Sequence, residues 1–472
     1  MAWQPNNSAS VSALDRGFLQ LRDFFLENRI LLAVLAVVAY AFYLACTAPY
    51  MLANADSLLD LVLLELLLLA LYNFRKVFFV LLVVAFTWAG VSLPLHGNWL
   101  AGRWVALAVG AIAGMTLWLK ERDHIFRPIH LIAFACFVSA LVSATVSDFP
   151  RTAFLKSVSL MLLFVYASGG ARLAVLRGTG RFRFMESLVV ACEITASITV
   201  LFYWGVHFEV FGNPNSLGAV LAVVLVPMLC WGVLVAQSRF HQRRRAALLA
   251  MCLVLLVQSR SRASLLAGIV TCCVLLLALK RYRLFLRASL VAAAAVGLVG
   301  LWSPSLIWTS ATDTQEMILY KGHREEGILG SRKGPWQDTL TTIQERPLFG
   351  QGFGTTKTGA ETEWGLTPFS TVQGTAREHG SSYFAIFEWL GLVGVVPFLL
   401  LLGAVVLQIK KTISYMRRSL DPYHPAVPVA MLALAGILHV AFEDWLFAVG
   451  YYLSFLFWSL VFCLPDLTED LP

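Results

Sequence analysis

Two arginines next to an apolar run are the first residues of this sequence with the chemistry of a functional site. Arg260 and Arg262 stand in VQSRSRASLLAGIV, immediately before a run long enough to cross a membrane. A guanidinium group presents planar donors that match phosphate oxygens two at a time. The pair therefore predicts a phosphate-type anion site at a membrane surface, although both side chains could instead extend to lipid headgroups.

A histidine before a later apolar run could handle protons. His379 stands in AREHGSSYF, and its imidazole could remove a proton from a hydroxyl nucleophile near neutral pH. His323 in the same loop is a competitor, and either histidine could simply be an interfacial polar residue. Neither has carboxylates or cysteines at metal-ligand spacing, so no metal and no cofactor are expected.

Further polar residues could complete the same site. Arg332, four residues before Trp336, is a second cation that could reach the anion or remain a solvated loop charge. The acids Glu388, Glu443 and Asp444 could pair with the arginines or orient the histidine.

The segment FGNPNSLG begins another apolar run. Asn213, Pro214 and Asn215 suit a helix cap that also offers amide donors to a sugar or a phosphate. Capping alone would explain them equally well.

Apolar helices must position these residues. Of 472 residues, 58% are hydrophobic and 14% charged, and the mean hydropathy is +0.73, whereas soluble domains are about a quarter charged. We expect an all-α polytopic membrane protein with about 12–14 transmembrane helices. The apolar runs begin near Ile30, Ser57, Val77, Ala101, Pro128, Thr152, Met185, Asn215, Ala246, Ala263, Leu284, Ser382, Ala426 and Leu446.

The charge pattern orients these helices. With the N-terminus inside, every second loop should be basic, because lysine and arginine are retained on the cytoplasmic side. The net charge of +8 therefore does not indicate a nucleic-acid partner. The loops that follow the pattern are Arg75/Lys76, Lys120/Arg122/Arg127, Arg172/Arg177/Arg181/Arg183, Arg239/Arg243/Arg244/Arg245, Lys280/Arg281/Arg283/Arg287 and Lys410/Lys411/Arg417/Arg418.

One outside connection is long, and its composition favours a folded lid. Aromatic residues such as Trp364 and Phe369 alternate there with glycines, and long loops in compact proteins are usually functional. A short helix is expected at Pro335–Gln344, followed by a glycine-rich turn in RPLFGQGFG. The predicted division is a cytoplasmic N-terminal segment at 1–28, transmembrane helices at 29–302, a periplasmic loop at 303–381, transmembrane helices at 382–465 and a cytoplasmic tail at 466–472.

The eight cysteines all stand in apolar runs without CxxC spacing. They are expected to be small packing residues, and neither a disulfide framework nor a zinc site is indicated.

Four motifs in order resemble one family. FGNPNSLG, SRASLLA, SRKGPWQDTLTTIQERPLFGQGFG and HGSSYFAIFEWLGLVG cover about the second half of the chain. Their order and context are similar to those of the O-antigen ligase superfamily, which includes bacterial polysaccharide polymerases and protein O-oligosaccharyltransferases.

The resemblance implies a metal-independent, inverting glycosyltransferase of the bacterial inner membrane. It would move a glycan from undecaprenyl diphosphate to a hydroxyl on the periplasmic face. The family's arginines fall on Arg262, with Arg260 as the alternative, and on Arg332, where they would stabilise the diphosphate leaving group. Its histidine falls on His379, and its glutamate and glycines fall on Glu388, Gly391 and Gly394. Gly380 replaces the asparagine that usually follows the histidine.

Several alternatives stay open. The acceptor could be lipid A core, a growing capsule or exopolysaccharide chain, or a protein serine, so that ligase and polymerase are both possible. A transporter for the lipid-linked glycan is the alternative of another class. Transporters are often built from repeats with broken helices at the bilayer midplane. The sequence shows no repeat, and we expect no charged residue deep in a span, which favours an enzyme.

Overall fold

The computed structural model describes residues 127–177, 181–284, 330–356 and 379–469, together with isolated positions between 87 and 115 and at 286 and 471. The chain divides into two compact units, Met1–Leu68 and Leu69–Pro472, and the described residues belong to the second. The predicted spans near Ile30, Ser57 and Val77 fall wholly or largely outside the described residues. The same holds for His323, Trp364 and Phe369.

The described part of the chain is helical and contains no strand. Several helices begin with proline in the first turn, where the missing N–H would have no partner in the helix anyway. In chain order the helices are α1 (Pro128–Thr145), α2 (Pro150–Ala171, continued by the short helix Arg172–Arg177), α3 (Arg181–Val206), α4 (Pro214–Leu234), α5 (Arg239–Gln258), α6 (Arg262–Ala278), α7 (Gly330–Glu345), α8 (Ser382–Gly394), α9 (Val396–Ser419), α10 (Ala426–His439), α11 (Tyr452–Val461) and α12 (Leu464–Leu467).

Five described helices, α1, α2, α3, α4 and α9, are long and apolar enough to cross a membrane. Their outer faces are apolar, as a lipid environment requires. On α1, for example, exposed apolar side chains recur every three or four residues at Leu131, Phe134, Val138 and Val142. The chain is therefore an all-α, multi-pass membrane protein, and this prediction is confirmed.

Helix α4 is the central helix of the described part. Nearly all of its apolar residues are buried inside the protein, and it packs against α3, α5, α6 and α10. A helix that is apolar on every side can be covered by its neighbours in this way. Its first turn, at Pro214, is consequently held at a fixed position at the end of the bundle.

Helix α8 is interrupted at Gly391, where the predicted span near Ser382 had been expected to continue. Gly391 adopts φ 65° and ψ −176°, which frees backbone groups on both sides. The freed Glu388 and Trp389 carbonyls accept from Gln351 N–H at 2.9 Å and Gly352 N–H at 3.0 Å. The freed N–H groups of 392 and 393 donate to the carbonyls of 347 and 348 at 2.7 and 3.1 Å. The glycine-rich turn of 346–356 thus completes the hydrogen bonding of a broken membrane helix.

The last predicted span began near Leu446, but α11 begins at Tyr452. Residues 440–451 form successive turns instead. Trp445, Leu446 and Phe447 are buried there, so the segment has the hydropathy of a span without its helix. The predicted helix at Pro335–Gln344 lies within the longer α7.

A buried acid corrects a second expectation. Glu193 lies in the middle of α3 and is almost fully buried, although no charged residue was expected deep in a span. Its Oε1 accepts from Arg245 at 2.5 Å, and its other oxygen pairs with Arg244. Arg244 and Arg245 belong to a predicted inside loop but lie on α5. The acid is therefore neutralised by a neighbouring helix, as charges at membrane depth generally are.

Another ion-pair cluster ties the C-terminal end to the bundle. Arg172 donates to both carboxylate oxygens of Asp466 at 2.6 and 2.7 Å, and Arg127 contacts Asp466 and Glu469. This cluster lies at the end of the helices where the basic loops were predicted, and Arg244 and Arg245 lie near the start of α5.

Candidate active site

The candidate site lies at the opposite end of the bundle. It combines the start of α8, the turns of 440–451, the start of α6, helix α7 and the start of α4. Ser382 links two of these elements, because its backbone N–H donates to the carbonyls of Val440 and Glu443 at 2.9 Å each. Its hydroxyl also donates to the Glu443 carbonyl at 2.9 Å.

His379 lies between two carboxylates. Its Nδ1 is 3.3 Å from Asp444 Oδ2, which also accepts from the His379 backbone N–H at 3.0 Å. Its Nε2 is 3.5 Å from Glu388 Oε1. The imidazole packs edge-on against Trp389, with the ring centroids 5.3 Å apart. Acids on both sides and an aromatic wall fix the orientation of the ring.

These contacts change the protonation of His379 and Asp444. Burial alone would lower the pKa of His379, but the hydrogen bonds and charges of Asp444 and Glu388 outweigh it and raise that pKa above its ordinary 6.5. Burial would raise the pKa of Asp444, but the bonds from the His379 side chain and backbone lower it below its ordinary 3.8. At pH values below the raised pKa of His379 and above the lowered pKa of Asp444, the pair is therefore an imidazolium beside a carboxylate.

Arg332 lies against Gly380, the residue that follows His379. Its Nη2 donates to Glu443 Oε1 at 2.6 Å, and Trp336 Nε1 approaches the Gly380 carbonyl at 3.4 Å. Gly380 has φ 65°, and a Cβ built there would lie 3.1 Å from Arg332 Nη1. This close approach gives a physical reason for glycine at the position where the family usually has asparagine.

The two arginines of the SRSR motif occupy different places. Arg262 is the first residue of α6 and is half-buried, and its guanidinium is close enough to Arg332 for the two charges to repel. Arg260 is exposed, has a left-handed backbone with φ 54°, and lines a cleft beside the histidine. Arg262 thus interacts electrostatically with Arg332, and Arg260 lines the cleft.

The cleft has a volume of about 1020 Å³. Asp444 reaches it, and its side chain is 29% exposed compared with 4% for that of His379. The walls of the cleft carry amides, aromatic rings and acids, a mixture that suits neutral polar ligands such as sugars. The lining includes Asn213, Asn215, Gln258, Tyr203, Trp445, Tyr451, Arg260, Glu209, Glu443 and Asp444.

The two predicted asparagines divide their roles. Asn213 caps α4, because its Oδ1 accepts from Ser216 N–H at 2.8 Å. Asn215 is exposed at the cleft. The prediction of a helix cap is confirmed for Asn213, and both asparagines are exposed at the cleft.

The glycine-rich turn is fastened from several sides. Arg346 donates to the Val146 carbonyl at 2.7 Å and to Asp148 at 2.5 Å, and Lys156 Nζ donates to the Gly354 carbonyl at 2.6 Å. Lys156 also interacts electrostatically with Asp444. It is therefore a further cation near the acid that bonds His379, and sequence reasoning missed it although a lysine within an apolar run was an available signal.

His439 was also not predicted. It ends α10 with 1% of its surface exposed and borders the cleft. Its Nε2 is 2.9 Å from Ser264 Oγ, and its Nδ1 accepts from Trp445 Nε1 at 2.9 Å. Its place at the outside end of a predicted span, four residues before Glu443, was the available signal.

Comparison with known proteins gives one family match for part of the chain. The bundle and its cluster of histidine, acids and arginines define a multi-pass membrane protein with a polar site at one end. Residues 246–399 match the family model described as O-Antigen ligase, a range that contains Arg262, Arg332, His379 and Glu388. This match supports the predicted membership of the O-antigen ligase superfamily. No curated protein sequence matches the chain.

Proposed function

We propose that this protein is a membrane glycosyltransferase that moves a glycan from undecaprenyl diphosphate to an acceptor hydroxyl on the periplasmic face of the bacterial inner membrane. The observation that carries the proposal is His379, held between Asp444 and Glu388 beside the arginine pair Arg262 and Arg332. The match to the O-antigen ligase family model supports a ligase or polymerase acting on lipid-linked glycans.

The arginine pair is the proposed diphosphate site. When the bond from the anomeric carbon to the phosphate oxygen breaks, its electron pair stays on the diphosphate. Two guanidinium groups near that oxygen would stabilise the charge without a divalent metal. The proximity of Arg262 to Arg332 favours this pair over Arg260, and a bound anion would relieve the repulsion between them.

The cleft is the proposed acceptor site. Its aromatic rings and amides suit sugar faces and hydroxyls, and Asp444 connects the cleft to His379. The acceptor hydroxyl would form its bond to the anomeric carbon while its proton passes to the Asp444–His379 pair. Attack opposite the departing diphosphate would invert the anomeric centre.

Gene deletion with complementation tests the proposal. The strain would receive wild-type protein, His379→Ala or Arg262→Ala, with His241→Ala and Arg239→Ala as matched exposed controls at the other end of the bundle. We expect the two site variants to lower transfer by roughly 100-fold or more, and the controls to restore it. Full complementation by His379→Ala would contradict the catalytic assignment.

The product that is lost identifies the reaction. Loss of the O-chain from lipopolysaccharide, with polymer retained on its lipid carrier, indicates a ligase. Loss of long polymer, with single units on the carrier, indicates a polymerase of capsule or exopolysaccharide. Loss of glycan from a protein indicates a protein acceptor. Accumulation of lipid-linked units on the cytoplasmic face would instead support a transporter and contradict the enzyme proposal.

A further inference from the structure

His439 is joined to the arginine turn, residues 259–262, by a chain of hydrogen bonds. The indole N–H of Trp445 can only donate, so His439 Nδ1 must be the acceptor of their 2.9 Å bond. A neutral imidazole then carries its proton on Nε2, which donates to Ser264 Oγ at 2.9 Å. Ser264 Oγ lies 2.7 Å from Ser261 Oγ, and either hydroxyl can be the donor of that bond. The hydrogen bonds therefore connect Trp445 through His439 and Ser264 to Ser261, and their direction is fixed as far as Ser264.

This chain of hydrogen bonds ends at Ser261, between the two arginines. Ser261 separates Arg260 from Arg262 in the sequence. Arg260 has φ 54°, a backbone conformation that residues other than glycine rarely adopt. Nearby, Ser259 Oγ donates to the Leu256 carbonyl at 2.8 Å. The conformation of this turn decides where both guanidinium groups are aimed, and conformations of this kind persist only when their surroundings hold them.

Helix α4 presses on the same serines from the other side. A Cβ built on Gly218 would lie 2.8 Å from Ser264 Oγ, 2.9 Å from Ser259 Oγ and 2.9 Å from Ser261 Cβ. The arginine turn is thus enclosed between α4 and the end of α10, with His439 forming the hydrogen-bonded wall.

We propose that His439 is a positioning residue that holds the arginine turn in the geometry required for binding the diphosphate, acting through Ser264 and only as the Nε2–H tautomer. The arginines' ligand rests on the function proposed above, whereas the control of the turn does not. A protonated His439 would turn an Nδ1–H toward the N–H of Trp445, and the chain would break.

Two amide variants of His439 test its two ring nitrogens separately. Glutamine at 439 extends about as far as Nε2 and can still donate to Ser264, whereas asparagine reaches only the Nδ1 position and keeps the acceptor for Trp445. Rescue by His439→Gln but not His439→Asn is a result that a simple packing role would not give. Ser157→Ala is the control, because Ser157 is a buried serine whose hydroxyl bonds within its own helix to Ala153.

The experiment measures binding of undecaprenyl diphosphate to the full chain in lipid nanodiscs, together with cryo-EM maps of wild type and Ser264→Ala. We expect Ser264→Ala and His439→Asn to bind about tenfold more weakly, with His439→Gln within about threefold of wild type. Ser157→Ala should match wild type. In the map of Ser264→Ala, Arg260 should leave its left-handed conformation.

Two results overturn the proposal: an unchanged arginine turn in the Ser264→Ala map, or equal losses of affinity in the two amide variants. The function proposed above fails separately. If Arg262→Ala binds the lipid as well as wild type does, while the Ser264→Ala map shows a displaced turn, His439 still positions the arginines but the diphosphate is not their ligand.

Discussion

The protonation of His379 decides when it can accept a proton. Asp444 and Glu388 raise its pKa above 6.5, while His379 lowers the pKa of Asp444 below 3.8. The raised pKa of His379 stabilises the folded protein. That stabilisation is complete at pH values below the ordinary pKa of histidine, and it is lost as pH rises through the raised pKa. The stabilisation that comes from the lowered pKa of Asp444 is complete at pH values above the ordinary carboxyl pKa. It is lost as pH falls through the lowered pKa. The pair is therefore fully charged between these limits.

Transfer activity should depend on pH with a midpoint above the ordinary histidine value. A charged His379 cannot accept a proton, so the rate should rise as pH increases through its raised pKa. In Asp444→Asn the strongest partner is removed while burial remains, so the midpoint should move down and the maximal rate should fall. The measurement is the initial transfer rate of purified protein across the range in which histidine titrates.

His241→Gln serves as the control for this profile, because His241 is exposed at the other end of the bundle. Its profile should coincide with that of wild type. An unchanged midpoint in Asp444→Asn would contradict the coupling between Asp444 and His379.

Residue chemistry predicted much of the site, but not its pairings. Arg262, Arg332, His379 and Glu388 could be selected by type and by position at the ends of apolar runs. The sequence could not decide between adjacent acids: Glu443 bonds Arg332, and Asp444 bonds His379. The turn between α10 and α11 makes that choice, and no local periodicity encodes it.

At the scale of elements, the interruption of α8 joins the glycine-rich turn to the membrane helices. Gly391 is central to this junction, because its backbone is left-handed and a Cβ there would lie 2.4 Å from the Leu348 carbonyl carbon. Glu388 lies in the turn of helix just before the break, so the junction also fixes the acid that faces His379.

Gly391→Ala should destabilise the protein by roughly 2–4 kcal/mol, because backbone strain adds to a steric clash. The matched control is Gly403→Ala. Gly403 lies in α9 with nothing within 4 Å of a built Cβ, and alanine there should be neutral or stabilise by up to about 1 kcal/mol. Thermal unfolding in detergent compares the two, and equal melting temperatures would contradict the role of the break.

Hydropathy predicted where apolar segments are buried, but not always whether they are helical. The segment at Leu446 is apolar because Trp445, Leu446 and Phe447 fill the core beneath the site, yet it turns instead of spanning. The break at Gly391 was equally invisible, since a glycine in an apolar run is compatible with a continuous helix.

For the whole molecule, the described outside turns meet at one end and the ion-paired basic segments at the other. The α1–α2 connection, the start of α4 and the start of α6 surround the site with the glycine-rich turn. The class of protein followed from composition alone. Glu193 is visible in the sequence as an acid within an apolar run, but its pairing was not predicted because Arg244 and Arg245 had been assigned to a loop.

Cysteine labelling should reveal which end faces outward. Asn215 and Gln237 are exposed near the two ends of α4, so they form a matched pair on one rigid element. A membrane-impermeant maleimide should label Asn215→Cys from the periplasmic side, and Gln237→Cys only after the inner membrane is permeabilised. Unmodified protein measures labelling of the native thiols, and the reverse pattern would place the site in the cytoplasm.

The bonding between 347–352 and the interrupted α8 also limits how this protein could be redesigned. The long loop between α6 and α8 is the first segment that an exchange between relatives would replace. Here, part of that loop supplies the hydrogen bonds of a neighbouring helix. A chimera that replaced the whole loop would exchange a component of the scaffold, whereas junctions placed after residue 356 and before residue 379 would keep the graft outside it.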